Sequence, residues 1–258
     1  MSWRPRIRRG GFGALVAVAC LAVALPAFAY ASRSAHTVTI PGGNKNAFRS
    51  STAKCPSGQH VLFGGFRNGV AGMRKTATDR WTVDGFNLGG DPLDMTSYAY
   101  CAKGPDSATK KTHTVPIRSA ATARARCPTG TVLVGAGFAT RDKTVLAVTR
   151  VERIGTDQVS VSAYLRFGIT KSSALTAIAY CGPGPAPKLA SRTVTVSKSG
   201  GRARAKCPRG TTLVFGGVTA THSTSAMPLV LLMQAADKAT WDVADTTAGK
   251  LTALAYCR

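Results

Sequence analysis

Acid is what this sequence has least of. Eleven of its 258 residues are aspartate or glutamate, glutamate occurs once, at Glu152, and histidine only at His36, His60, His113 and His222. Catalysis by proton transfer or nucleophilic attack needs positioned acids, bases or activated nucleophiles, and a chain this poor in them reads as non-enzymatic. Motifs that announce catalysis or ion binding are also missing: there is no G-x-S-x-G turn, H-E-x-x-H helix, phosphate-binding glycine loop or calcium loop. No C-x-x-C pair or Cys/His cluster occurs, which removes a zinc site. Beyond Ser32 no apolar run approaches the length of a membrane span. Helix signals are scarce as well, and Ser225 to Ala236 is the one stretch whose pattern stays open.

Base is abundant. Thirty-four lysines and arginines give a formal net charge of +23. Four of them, Arg4, Arg6, Arg8 and Arg9, head an uncharged apolar run from Phe12 to Leu25 that Pro26 breaks. A basic head, a short apolar core and the small-residue pattern Ala27-Phe28-Ala29 predict an export signal over 1–29, cleaved after Ala29. Ala29-Tyr30-Ala31 offers a second site. The uncharged stretch from Gly10 to Ser32 is long enough to cross a hydrocarbon core of about 30 Å, but Pro26 and the cleavage pattern favour removal. Cys20 sits inside the apolar run without the leucine-led box of a lipoprotein, and Arg8-Arg9 leaves the export route open. Subtracting the four signal arginines takes the charge from +23 to +19. A positive potential of that size attracts polyanions: teichoic acid, acidic glycan, extracellular nucleic acid or anionic lipid. Solubility alone is the competing explanation.

The exported part repeats three times. Ala53-Lys54-Cys55-Pro56-Ser57-Gly58 returns as Ala125-Arg126-Cys127-Pro128-Thr129-Gly130 and as Ala205-Lys206-Cys207-Pro208-Arg209-Gly210. A glycine-containing apolar run follows each time, Val61 to Phe66, Val132 to Phe138 and Thr212 to Val218. The copies close on Tyr100-Cys101, Tyr180-Cys181 and Tyr256-Cys257. Two cysteines per copy in an exported chain predict a disulfide framework. Only one pairing treats the copies alike while staying within each: Cys55 with Cys101, Cys127 with Cys181, and Cys207 with Cys257. Each bridge closes a loop of about 50 residues, for which chain entropy assigns roughly 4 kcal/mol.

Alternation predicts strands. In Ala121 to Cys127 the alanines and the cysteine share one face while Thr122, Arg124 and Arg126 share the other; Ala203, Ala205 and Cys207 oppose Arg202, Arg204 and Lys206 in the same way. Opening strands precede each unit at Thr37–Ile40, Thr114–Ile117 and Thr193–Val196, and middle strands carry Trp81, Val159 and Trp241. The expected fold class is all-β, in three tandem disulfide-closed modules of about four or more strands each. Module boundaries fall at 30–102, 113–182 and 192–258, joined by linkers 103–112 and 183–191, the second stiffened by proline. Two architectures fit. The modules pack about a pseudo-threefold axis, which we favour, or sit apart as beads.

The repeat A-x-A-x-C-P-x-G-x-x-L-x-G-G, ending in A-Y-C, resembles secreted proteins of high-GC Gram-positive bacteria over nearly the whole exported chain. The resemblance implies export, disulfides and β structure.

Seven cations opposite the buried alanines form the candidate polyanion-binding set: Lys54, Arg124, Arg126, Arg202, Arg204, Lys206 and Arg209. Spacing of two in a strand sets such cations about 6.5 to 7 Å apart, near the repeat of a single-stranded or polyol phosphate backbone. Protection of exposed strand edges explains charges there too. Other candidates are weaker. Asp91 with Asp94, and Asp242 with Asp245, are the only close carboxylate pairs worth weighing for glycoside cleavage, and each occurs in one copy. His36 and His113 recur at strand entries, where the third copy has Arg192. Trp81 and Trp241 fit a sugar-stacking platform or, better, a core. A lectin-like carbohydrate binder, and an inhibitor or toxin presenting the segment Arg67 to Arg80 as a stiffened loop, are the alternative functions. No cofactor is expected.

Overall fold

The computed structural model describes residues 30–258 except 44–46, 69, 88, 105, 142–145, 166–172, 198–199, 223–229 and 248. The expected signal over 1–29 lies outside the described residues. So does the start of the open stretch at Ser225; its end is strand.

Every copy makes six strands. The first contributes β1 (Ser32–Ile40), β2 (Phe48–Lys54), β3 (Gln59–Arg67), β4 (Val70–Ala77), β5 (Arg80–Phe86) and β6 (Leu93–Lys103). The second contributes β7 (Thr109–Ile117), β8 (Ala120–Arg126), β9 (Val132–Thr140), β10 (Leu146–Ile154), β11 (Gln158–Leu165) and β12 (Ser173–Gly182). The third contributes β13 (Lys188–Val196), β14 (Gly201–Lys206), β15 (Leu213–His222), β16 (Val230–Ala235), β17 (Thr240–Asp245) and β18 (Gly249–Cys257). The fourth strand of each copy is the one the sequence pattern hides. Bulges between Val70 and Gly72, Val148 and Arg150, and Val230 and Leu232 interrupt the two-residue period on which strand reading depends.

These strands form three six-stranded antiparallel sheets: sheet I, β1-β6-β3-β16-β17-β14; sheet II, β2-β5-β4-β9-β12-β7; and sheet III, β13-β18-β15-β10-β11-β8. No sheet belongs to one copy. Each joins the first, sixth and third strands of one copy to the fourth, fifth and second strands of another, so the copies close into a ring. The three third strands touch one another at its centre, and one contiguous core runs through all three copies. The modules are therefore neither beads nor separated by long linkers. Strand β7 already begins at Thr109 and β13 at Lys188, inside the stretches read as linkers, because both edge strands are exposed on each face and show no alternation.

The seams between copies are short. They pair Phe66 with Met233 and Arg67 with Leu232, Phe138 with Met73, and Val218 with Val151 and Thr219 with Arg150. Two residues further along the fourth strand, where the ladder ends, the tyrosine beside each closing cysteine takes over. Tyr100 Oη accepts from Ala235 N at 2.6 Å, Tyr180 Oη from Lys75 N at 2.6 Å, and Tyr256 Oη from Arg153 N at 2.8 Å. The phenols stand in for the backbone acceptors that the diverging strands withdraw. Where the seams cross, glycine is obligatory: a Cβ on Gly65 would lie 2.1 Å from Met233 O, and one on Gly217 2.2 Å from Val151 O.

The cysteines pair as the repeat predicts, Cys55–Cys101, Cys127–Cys181 and Cys207–Cys257. Each bridge stays within a copy but crosses between sheets, since the first cysteine follows a second strand and the other lies in or at the end of a sixth. The three bonds thus tie sheet I to II, II to III and III to I. Two seams are also crossed by the chain: Lys75 Nζ holds Asp106 Oδ2 at 2.7 Å, and Arg153 Nη1 donates to Pro187 O at 2.6 Å. The third seam has no connecting chain. There Tyr30 is buried, its ring 5.0 Å from that of Tyr100 and 6.0 Å from that of Phe63, and Ala31 N donates to Cys101 O.

Candidate polyanion-binding edge

The second strand of each copy ends a sheet, β14 in sheet I, β2 in II and β8 in III. An edge strand opposite a packed core must turn small apolar residues inward, and Ala53, Ala123, Ala125, Ala203 and Ala205 are buried as the alternation requires. All seven candidate cations are exposed on the other face or, for Arg209, on the following turn. They do not form one ridge. Lys54 lies on sheet II, Arg124 and Arg126 on sheet III, and Arg202, Arg204 and Lys206 on sheet I, with Arg209 beyond Cys207.

Register makes the copies comparable position by position, because Ala53 pairs with Trp81, Ala125 with Val159 and Ala205 with Trp241. Lys54, Arg126 and Lys206 are equivalent. Arg204 matches Arg124 and Thr52; Arg202 matches Thr122 and Ser50. The one cation common to all copies is an ordinary turn partner in two of them, Lys54 with Asp79 at 3.8 Å and Arg126 with Asp157 at 3.2 Å. Exposed pairs of this kind contribute about 1 kcal/mol or less. In the third copy Ala239 replaces the aspartate: Cys207 N donates to Ala239 O as Cys55 N does to Asp79 O and Cys127 N to Asp157 O. The ion pairs of the described residues leave Arg124, Lys206 and Arg209 without an acidic partner.

Asp242 sets the third edge apart. Its side chain is fully buried beneath two arginines; Arg202 Nε donates to Oδ1 at 2.6 Å, Arg202 Nη2 reaches Oδ2, and Arg204 Nε lies 3.6 Å from Oδ2. A buried carboxylate is tolerated only when so compensated. The hydrogen bond to Asp242 holds the Arg202 guanidinium above its usual pKa. About half of each arginine side chain still faces solvent, leaving donors of the five-donor fork free for a ligand. The equivalent positions in the other copies are Thr82, which shares a hydroxyl contact with Thr52 at 2.9 Å, and Ser160. Strand β13 packs beside β14 and adds exposed Lys188 and Arg192.

The remaining candidates fall elsewhere. Asp242 belongs to the arginine pair, and Asp245 accepts from Thr247 N at 2.8 Å, so they form no acid/base couple. Asp94 accepts from Thr39 Oγ1, and Asp91 is exposed on the turn before β6. His36 Nδ1 meets the Ser51 hydroxyl at 3.1 Å, within a hydroxyl cluster that includes Ser97 and no carboxylate. His113 lies within β7, whereas the side chain of His222 is outside the described residues. Trp81 and Trp241 are fully buried and stack no sugar. The segment Arg67 to Arg80 is not a free loop: most of it is β4, paired on both sides with β5 and β9. The sequence pattern missed the role of Asp242, since only the register of β14 against β17 places it under both arginines. Among the described residues no group of acidic, histidine or cysteine side chains could hold a metal ion, and no helix is long and apolar enough to cross a membrane. In comparisons with known proteins, no family model and no curated protein sequence matches this chain.

Proposed function

We propose that the chain is an exported, non-enzymatic protein that binds anionic polymers of the cell envelope or its surroundings through the cationic edge of the third copy. The observation that carries this reading is the pair Arg202 and Arg204, fixed over the buried Asp242 and open to solvent beside the unpartnered Lys206 and Arg209. Support comes from the formal charge of +19 beyond residue 29, obtained from +23 less four arginines. Three disulfides suit the oxidising conditions outside the cytoplasm. Chromatography of the chain from Tyr30 onward on immobilised polyanion tests the reading. Retention near physiological salt, with affinity falling steeply as salt rises, is the expected result; elution below about 0.1 M salt contradicts multi-contact binding.

A further inference from the structure

Resting on that reading, we propose that the ligand of the β14 edge is a thin phosphodiester polymer without bases, of the poly(polyol phosphate) kind, laid along Arg202, Arg204, Lys206 and Arg209. Pseudo-symmetry supplies the control that a single domain lacks. Strand β2 is an edge strand of the same fold, and it carries Ser50 and Thr52 where β14 carries Arg202 and Arg204. Edge protection therefore does not require these arginines. Nor does the core: Thr82 fills in the first copy the place that Asp242 fills in the third. The third copy carries a buried acid and two arginines where the first has neutral hydroxyl residues, which changes net charge by only one while placing two guanidinium groups on one carboxylate. Fixed forks favour phosphate oxygens, which they engage bidentately.

The shape of the row selects the polymer. Cations at every second residue of one extended strand recur about every 6.5 to 7 Å, in single file, matching a chain with one charge per short repeat. Polynucleotide binding adds aromatic platforms on which bases stack. Among the described residues the exposed large apolar side chains are Ile154, Tyr164 and Leu189, all on strands of sheet III and none on sheet I.

The test compares poly(glycerol phosphate), heparin and single-stranded oligothymidylate as ligands of the chain from Tyr30 onward, over a range of salt. One variant transplants the first copy's edge, Arg202→Ser with Arg204→Thr and Asp242→Thr; it lowers net charge by one, as does the control Lys110→Ser on the exposed strand β7. A second variant, Lys206→Thr with Arg209→Thr, leaves Asp242 paired, and Lys110→Ser with Lys111→Ser matches its charge. Poly(glycerol phosphate) should bind the wild type most tightly. Each β14-edge variant should bind it about tenfold or more weakly, with the salt slope reduced by about two, while the controls change less than about twofold. Equal losses in edge variants and controls overturn the local site but leave polyanion binding standing. Preference for heparin or oligothymidylate overturns the ligand class. Absence of binding to all three at physiological salt overturns the functional reading itself. Should the first variant unfold, the second decides.

Discussion

At Gly216 the third copy has no room for a methyl group. A Cβ there would lie 1.9 Å from Cδ2 of Trp241, and one on Gly64 2.2 Å from Cδ2 of Trp81. The second copy carries Ala136 and Val159 at the matching positions, so glycine with tryptophan and alanine with valine are two solutions to one packing problem. Gly216→Ala should destabilise by about 1–3 kcal/mol or more through overpacking. Adding Trp241→Val should recover part of that loss, and a double-mutant cycle read by denaturant unfolding should show a coupling of about 1–3 kcal/mol. Additive costs would mean the ring and the glycine do not share that space. Burial of the tryptophans was legible in sequence, because Trp81 and Trp241 alternate with Val83 and Val243 on one face and a valine replaces them in the second copy. The lock over Asp242 was not, since nothing local in Trp241-Asp242-Val243 says which strand lies alongside.

At the scale of the strand, the closing tyrosines explain how β6, β12 and β18 reach into neighbouring copies. Tyr180→Phe removes the acceptor for Lys75 N and should cost about 1–3 kcal/mol by stranding a part-buried donor. Burial pushes all three phenols above their usual pKa, Tyr256 to about 12 and Tyr100 and Tyr180 higher still. Since the folded values exceed the value of about 10 in an unfolded chain, the tyrosines contribute fully below that pH, and their contribution is lost as pH rises through the folded values. Alkaline titration should therefore show the seam phenols ionising together with loss of tertiary structure. Free ionisation of all tyrosines near their ordinary value in a folded chain would contradict the latch. About four of the six strands per copy were expected, from segments that alternate or carry a repeated motif. The fourth strand was not among them, because the bulges that bend it towards the seam erase the period.

For the whole molecule, the repeat announced three modules and their disulfides, yet not that each sheet is shared. Exchange of strands between copies depends on contacts distant in sequence, and a strand reads the same whether its neighbour is its own or another's. Ring closure gives the first described residue, Tyr30, a structural task. Tyr30 packs on Tyr100 and Phe63 at the seam that no linker crosses, as Asp106 and Pro187 are held at the other two. A chain beginning at Tyr30 should melt higher than one beginning at Ser32, and if the proposed export holds, the intact mass of protein recovered from culture medium should correspond to cleavage after Ala29. Equal melting temperatures would remove Tyr30 from the closure.

The proposed function rests on the ring presenting three equivalent edges of unequal charge. Backbone amide chemical shifts during titration with poly(glycerol phosphate) test this directly. Changes concentrated in Gly201–Lys206 and at Arg209, with little response in Phe48–Lys54, are the predicted result. Equal changes along all three edges, or none on β14, would contradict it.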